Sequence, residues 1–442
     1  RDPRGVFKSA IDSTALELMH SGFFQETGAI LRDSAGVRVL DLTISPNEEV
    51  RVTEVEGVSA IPDSVFRALL REMEDKPYNP RMLEEKLLRL IKEYRKQGYS
   101  LAQVDSVVWN PNRHSLVVRF SEGEIGKITV RGNEITKRYV ITREMDVKQG
   151  ELLQKSRLEK SLTNIYSSGL FEIVGVDFQP LEDSDTWELV IHVREKDYLG
   201  ARFGYRLTNQ RGDVGILGVS HQNFFGNGIR LGMELKIGTM QGHMHGEVSS
   251  YRFLDTYITY TLGAGVNWDW YEIYANGENI GRTYRLSRNF LKYSMGHQIA
   301  RLGLVSFTGQ AQRVHLKGQE TEAGIYNRDY TMTTFSLESV IDTKDRAIFP
   351  RHGNYQRIFY QFGTTSLGGD VGFTKFILES DWFFTFLDRN TVHPGIKIGL
   401  GDQTVPFSEW FDLGGIDSFF GLHKHELLGK KLYQGSLEYR YR

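Results

Sequence analysis

The chain has 442 residues, a formal net charge of −2 and no cysteine, enough length for several domains. The missing cysteines exclude zinc–thiolate sites, iron–sulfur clusters and disulfides, and the near-neutral charge argues against a general nucleic-acid binder. Glycine (45 residues) and aromatics (12%) are plentiful, while mean hydropathy is only −0.37. No window approaches the roughly 18 apolar residues of a membrane helix; a β-barrel, apolar on one face of each strand, stays open. The start, Arg1-Asp2-Pro3-Arg4-Gly5, has neither an initiator Met nor an apolar signal region, and the end, Glu438–Arg442, stops within a strand pattern. The chain is therefore expected to be part of a longer one.

The first part, to about Asp197, mixes helix and strand patterns and repeats itself. Leu16–Phe24, Leu90–Tyr99 and Leu162–Phe171 each read as the end of an amphipathic helix stopped by a glycine: Gly22, Gly98 and Gly169, spaced 76 and then 71 residues apart. A glycine at that place predicts a left-handed C-terminal cap. Two strand-like runs follow each helix, among them Val37–Ile44, Ser115–Phe120 and Trp187–Val193. The second and third units also open alike, with Val52–Gly57 and Ile128–Asn133. The unit reads β-α-α-β-β, and the first copy lacks its front half. The complete units are expected at Arg51–Ser121 and Glu124–Glu195, each with two helices on one face of a small sheet. Leu87, Leu90, Ile91 and Tyr94 are the predicted helix core of one, and Leu158, Leu162, Ile165 and Tyr166 form the helix face of the other. Which strand is the open edge does not follow from the pattern.

From about Leu199 the helix period disappears and alternation takes over. Ile229–Ile237 places Ile, Leu and Met at odd positions and Arg, Gly, Glu and Lys at even ones; Ile258–Trp268 and Tyr433–Arg442 alternate in the same way. Strands about ten residues long with one apolar and one charged face suit a transmembrane barrel with a wet lumen, and Tyr and Trp near their ends suit aromatic girdles. The pattern counts about twelve strands. The expected division is a partial repeat over 1–49, repeats over 50–122 and 123–196, and an all-β barrel over 197–442.

Four segments of the second half are distinctive: Asn223–Gly228; Asp342-Thr343-Lys344-Asp345-Arg346-Ala347-Ile348-Phe349-Pro350-Arg351-His352-Gly353; Phe411–Gly415; and Ser418-Phe419-Phe420-Gly421-Leu422. In this order, behind the repeats, they resemble the BamA-like superfamily of outer-membrane assembly factors, translocation modules, two-partner-secretion transporters and barrels attached to patatin-like phospholipases. The resemblance covers essentially the whole chain. It implies polypeptide-transport-associated (POTRA) repeats in the periplasm and a barrel in the bacterial outer membrane, with sixteen strands in the family, of which about four would be missing here. The first segment resembles the family's second hairpin turn. The second, with Asp342, Asp345, Arg346, Pro350 and Gly353, resembles its connection between middle strands. The last two resemble a loop that folds into the lumen, where the family's arginine meets acidic groups of the wall. Phe420 stands at that arginine and Leu422 at the following aromatic, a departure that resembles the patatin-linked branch.

Several expectations follow. The loop Gly414–Lys430, carrying Gly415, Phe419, Phe420, Gly421, Leu422 and Glu426, should enter the lumen. There Gly415, Gly421 and Gly429 should permit close approach to the wall, and Phe419 and Phe420 should form an apolar plug in place of the ion pair. The first barrel strand, about Leu199–Leu207, should place Gly200, Arg202, Gly204 and Arg206 on one face of a weak seam, because glycine lowers strand stability. No catalytic constellation and no cofactor are expected: Gly-x-Ser-x-Gly is absent, and Asp342 and Asp345 are interleaved with Lys344 and Arg346, which favours an ion cluster over catalysis or calcium. His243/His245 and His423/His425 each share a strand face at i, i+2 spacing, a metal-competent arrangement, but no third ligand is placed, so they read as surface or loop histidines without a metal. The resemblance implies outer-membrane protein assembly, insertion or polypeptide translocation. Its partners would be unfolded or partly folded client polypeptides, outer-membrane lipid and periplasmic or lipoprotein accessory subunits, with no nucleic acid. The alternative is a membrane anchor or exporter for a patatin-like phospholipase domain ahead of Arg1.

Overall fold

The computed structural model describes residues 13, 16–34, 37–182, 185–208, 212–253, 256–275, 277–299, 303–318, 327–415 and 418–442. They form two units, residues 1–134 with 141–195, and residues 135–140 with 196–442.

The first unit holds the repeats. The hairpin Phe24–Ser34 with Val37–Pro46 is antiparallel and follows Gly22 at φ 83°. The next repeat has a three-stranded sheet with Ser115–Ser121 in the middle, parallel to Val52–Glu56 and antiparallel to Gln103–Asn110. Two helices pack on it, α1 (Asp63–Leu70) and α2 (Pro80–Lys96). The start of α2 is set by Asn79, whose side chain accepts from the N–H of Arg81 (3.0 Å) and Met82 (3.1 Å), with Pro80 in the first turn. Its end is set by Gly98, at φ 95°. Leu83, Leu87, Leu90 and Tyr94 recur at helical spacing and are buried against Phe66, Leu70, Leu116 and Val118. Each such side chain contributes about 1.5–3 kcal/mol on leaving water. Ile91 is only half-buried.

The third repeat has Trp187–Glu195 in the middle, parallel to Ile125–Arg131 and antiparallel to Phe171–Pro180. Its helices are α3 (Arg138–Thr142) and α4 (Lys155–Ser167), and α4 ends before Gly169 at φ 77°. Leu158 and Ile165 are buried there, but Leu162 is half-buried and Tyr166 is 57% exposed, contrary to the helix face read from sequence. The reason is angular. Leu158, Ser161 and Ile165 form the buried line, and one residue beyond it the helix has turned about 100° away.

The two complete repeats are joined without a free linker. Ser121, Glu122 and Ile125 are buried, and Gly123 sits at φ 82° where a Cβ would come within 2.4 Å of Leu101 Cβ. Backbone bonds cross the junction, Leu153 N to Gly123 O (3.1 Å) and Lys155 N to Gly98 O (2.8 Å).

The second unit is built on a twelve-stranded sheet. Its strands are β1 (Leu199–Thr208), β2 (Gly212–Phe224), β3 (Ile229–Gly238), β4 (Gln241–Ser250), β5 (Ile258–Ala275), β6 (Glu278–Ile299), β7 (Gly303–Gly318), β8 (Arg328–Asp342), β9 (Gly353–Thr364), β10 (Phe373–Phe386), β11 (Asn390–Gly401) and β12 (Lys431–Tyr441). Each pairs antiparallel with the next in sequence order. The register carries one parity across the sheet, so one face is apolar and the other polar. Leu262, Leu291, Phe307, Leu337, Ile358 and Tyr433 belong to the apolar face, where even central-strand residues such as Leu291 are 61% exposed. That face is built for lipid. Arg285 lies 5.9 Å from the rings of both Trp268 and Trp270, an aromatic–cationic pair at the limit of the apolar band.

Candidate functional site

The polar face carries a ladder of alternating charge. Arg357 reaches Glu338 (2.6 Å) on one neighbour and Glu379 (3.5 Å) on the other, and Lys397 closes on Glu379 at 2.8 Å. Further along, His393 lies between Asp381 (3.1 Å) and Glu438 (3.2 Å), which Arg440 pairs at 2.6 Å. Acids of this wall are thus matched by bases one strand away.

At the sheet edge, β1 runs in unbroken register with β2: Gly200 opposite Ser220, Arg202 opposite Gly218, Gly204 opposite Ile216 and Arg206 opposite Val214. Gly200, Arg202, Gly204 and Arg206, expected from sequence at a seam, therefore share the polar face. Arg202 packs over Gly218 and pairs with Glu234, and Glu234 also receives His243 at 2.7 Å. On the other face Phe203 is 88% exposed. His243 and His245 sit on the polar face beside Glu234 and Glu247, partners that no sequence spacing named. No metal-binding group occurs among the described residues.

The connection from β8 to β9 is the ion cluster read from sequence. Lys344 pairs with Asp342 (3.3 Å) and Arg346 with Asp345 (3.2 Å). Asp345 also accepts from the backbone N–H of Arg351 (2.8 Å) and His352 (3.2 Å). The Arg351 N–H is the largest influence in pushing its carboxyl down to about 2. Pro350 is buried. Gly353, at φ 100°, is required, since a Cβ there would lie 2.2 Å from Thr343 O.

The segment between β11 and β12 folds over the polar-face side of β5–β8, at the end away from the entry of the chain at Leu199. Those strands are long, up to 22 residues in β6, whereas about ten span a bilayer. Their far ends carry Ile273, Tyr284, Leu286, Val314, Leu316, Tyr330 and Met332, which form an apolar cluster with Val405, Phe407 and Trp410 of the segment. Polar ties hold the same stem: Arg288 Nη2 donates to Ser408 O (2.6 Å), the Tyr330 hydroxyl to Ser408 Oγ (2.8 Å), and Lys375 pairs with Glu409 (3.5 Å). The loop tip behaves otherwise than expected. Gly415 N bonds Leu422 O (2.8 Å), closing a turn that leaves Phe419 51% and Phe420 85% exposed. The two rings are not a packed plug. The wall balances its charge within itself, and the apolar anchor is the stem. Close approach falls at Gly414, where a Cβ would meet His423 O at 2.0 Å, while Gly421 nears only Phe419 of its own turn and Gly429 only Lys431. Glu426 accepts from the His423 N–H (2.7 Å).

Asn223–Gly228 forms the β2–β3 turn and receives residues 135–140. Asn223 and Thr136 are buried. Asn223 Nδ2 donates to Thr136 Oγ1 (2.8 Å), and Thr136 Oγ1 is 2.8 Å from the Tyr198 hydroxyl. Asn223 Oδ1 accepts from the Gly228 N–H (2.7 Å), and Lys137 N donates to Gly226 O (2.9 Å). Gly226, at φ 70°, approaches so closely that a Cβ would be 2.0 Å from Ile135 O.

Comparison with known proteins places these features. The Omp85 superfamily domain matches residues 223–442, and the POTRA model, a surface-antigen variable number repeat, matches 49–123 and 124–196. Outer membrane protein assembly factor BamA of Nitratidesulfovibrio vulgaris is 23% identical over 349 residues, covering 76% of this chain and 43% of that protein. The protein of the same name from Neorickettsia risticii is 25% identical over 397 residues, 84% of this chain and 51% of that protein. The chain thus spans about half the length of the curated relatives it matches. Among solved structures, BamA from Haemophilus ducreyi lacking POTRA domains 1–3 shares the fold with TM-score 0.63 at 15% identity, over 85% of this chain and 76% of that one. CdiB from Escherichia coli gives 0.52 at 13%, over 98% and 83%. With the repeats ahead of a sheet of this register and these turns, the chain belongs to the BamA-like Omp85 superfamily.

Proposed function

We propose that this protein assembles or translocates polypeptides at the outer membrane: its repeats capture client chains, and the edge of β1 templates their strands. It is an outer-membrane protein with its POTRA repeats on the periplasmic side. The observation that carries the mechanism is the state of the repeat edges. Val52–Glu56 is covered at its start, where Thr53 N donates to Glu74 (3.2 Å), and Ile125–Arg131 by bonds to residues 150–151. Gln103–Asn110 and Phe171–Pro180 each pair on one side only, with Val107, Val108 and Ile173 exposed. Unpaired backbone groups there suit an extended peptide of almost any sequence. In the seam strand, Gly200 and Gly204 weaken pairing and Arg202 and Arg206 face the lumen. Once that edge opens in lipid, unpaired groups cost several kcal/mol each, about the desolvation cost of an unmet hydrogen bond, and an incoming strand removes the cost. Strand pairing and apolar burial supply the driving force, so neither a catalytic residue nor a cofactor enters this scheme, and residues 1–49, 50–122, 123–196 and 197–442 divide the labour. Prolines placed singly along residues 172–176 of the full-length protein should weaken binding of an unfolded outer-membrane client about tenfold or more at positions whose N–H points outward, with an unchanged melting curve. Full client binding by every proline variant, there and along 103–110, would refute edge capture.

A further inference from the structure

At the end of the sheet that holds the β2–β3 turn, the β8–β9 connection, the β10–β11 turn and the end of β12 surround a cavity of about 520 Å³, within the range of small-molecule sites. Arg346 and Arg351 of the connection, Arg389 of the turn, Arg440 of β12 and Arg442 just beyond it line the cavity, and no acid does. The three elements are fastened to one another. The Thr385 hydroxyl of β10 donates to Arg351 O (2.8 Å), and Arg442 N donates to Arg389 O (3.0 Å). Asp345 holds the backbone of Arg351 and His352 from within the connection, so the arginines are carried on a braced frame.

Charge is not matched here as it is along the Arg357 ladder. Arg346 pairs with Asp345 (3.2 Å) and Arg440 with Glu438 (2.6 Å). Arg351, Arg389 and Arg442 have no side-chain hydrogen bond or ion pair among the described residues. Asp388, next to Arg389, is exposed and does not line the cavity. Arg389 and Arg442 are exposed and Arg351 is half-buried, with none of its nitrogens closed to solvent, so all three are open to a solute. Like charges gathered in one concavity repel each other and concentrate an anion there. Guanidinium forks fit the oxygens of carboxylates and phosphates. The number of forks decides between these. A carboxylate has two oxygens and one charge, which a single fork satisfies. A phosphate presents more oxygens and, as a monoester, a charge of about −1.5 to −2, enough to be shared by arginines from the connection, the turn and the end of β12. Ile348 and Phe349 also line the cavity and are exposed. They set an apolar surface beside the cationic one, as a headgroup joined to acyl chains would require. We propose that this cavity binds a phosphate group, free or as the headgroup of a phospholipid.

The test uses the full-length protein in a phosphate-free maltoside detergent at low salt, titrated calorimetrically with sodium phosphate and with dihexanoyl phosphatidylglycerol, and with acetate and hexaglutamate as counter-probes. Saturable binding of at least one phosphate-bearing probe is expected, tighter than that of either counter-probe. Binding of the phosphatidylglycerol alone would assign the site to lipid, and binding of inorganic phosphate, with or without the lipid, to the phosphate group itself. Arg351→Gln and Arg389→Gln should each weaken the bound probe about tenfold, the worth of one charge-assisted hydrogen bond, with an unchanged melting curve, because neither side chain has a protein partner. Arg230→Gln, on β3 and outside the cavity, should leave the affinity as it is, which separates the site from general attraction of anions. No binding of either phosphate-bearing probe, equal binding of acetate or hexaglutamate, full affinity in both cavity variants, or the same loss in Arg230→Gln would overturn the proposal.

Discussion

The repeats and the sheet use the same side chains in opposite ways. In the second repeat Leu90, Tyr94, Leu116 and Val118 turn inward to a shared core, with Lys86 and Glu122 as buried charges beside it. In the sheet the apolar side chains turn outward, and the charges of Glu338, Arg357, Glu379 and Lys397 lie on the opposite, polar face. Each arrangement follows the solvent: water around the repeats, lipid outside the sheet and water within it. The difference teaches that alternation fixes which residues share a face, while the surroundings decide which face is in.

The comparison can be broken by moving one residue type across it. The largest effect is expected in the repeat core, where Leu90→Ala should cost about 2–5 kcal/mol through lost burial and a cavity, read from urea unfolding of the periplasmic part within the full chain. Leu262→Arg, on the apolar face of β5, should cost about 2–4 kcal/mol near mid-bilayer in refolding into lipid vesicles. A cost near zero would mean that this face does not meet lipid. The turn that receives residues 135–140 should come next: Gly226→Ala adds a left-handed strain of about 1–2 kcal/mol to the collision with Ile135 O, lowering the barrel's melting midpoint.

Acid should separate the regions as well. Burial pushes the Glu122 carboxyl up, but hydrogen bonds from the Ser59 and Tyr94 hydroxyls and the N–H groups of Ser59 and Ala60 outweigh it and hold it below its ordinary value. A depressed folded pKa means stability that is present above the unfolded pKa of about 4.3 and lost as pH falls through the folded value. The repeats should therefore weaken below about pH 4, and Glu122→Gln should flatten that limb in pH-dependent unfolding. The smallest effect is expected for Arg357→Ala, about 1 kcal/mol or less in a wet lumen, seen as a slight drop in barrel melting.

Much of this organisation was legible from periodicity. Gly22, Gly98 and Gly169 take the left-handed conformation their positions predicted, and the strand parities of β3, β5 and β12 persist through the register of the whole sheet. The Asp342–Gly353 connection also reads locally, since its partners are close in the chain. What did not read are contacts set by register or packing across long separations. Glu122 meets Ser59 and Tyr94, His243 meets Glu234, and the segment after β11 is anchored by Phe407 and Trp410 rather than by Phe419 and Phe420. Tyr166 failed for a related reason: apolar character at a helix end does not say on which side of the buried line it falls.

The central claim, that the β1 edge receives a client strand, has a direct test because the chain contains no cysteine. Single cysteines at positions 200–206 of the full-length protein would be crosslinked in the membrane while a client barrel is stalled during assembly. Crosslinks to the client are expected along this strand, reduced by prolines that block outward pairing. Crosslinks confined to the protein's own strands, at every position and with the client stalled, would contradict it.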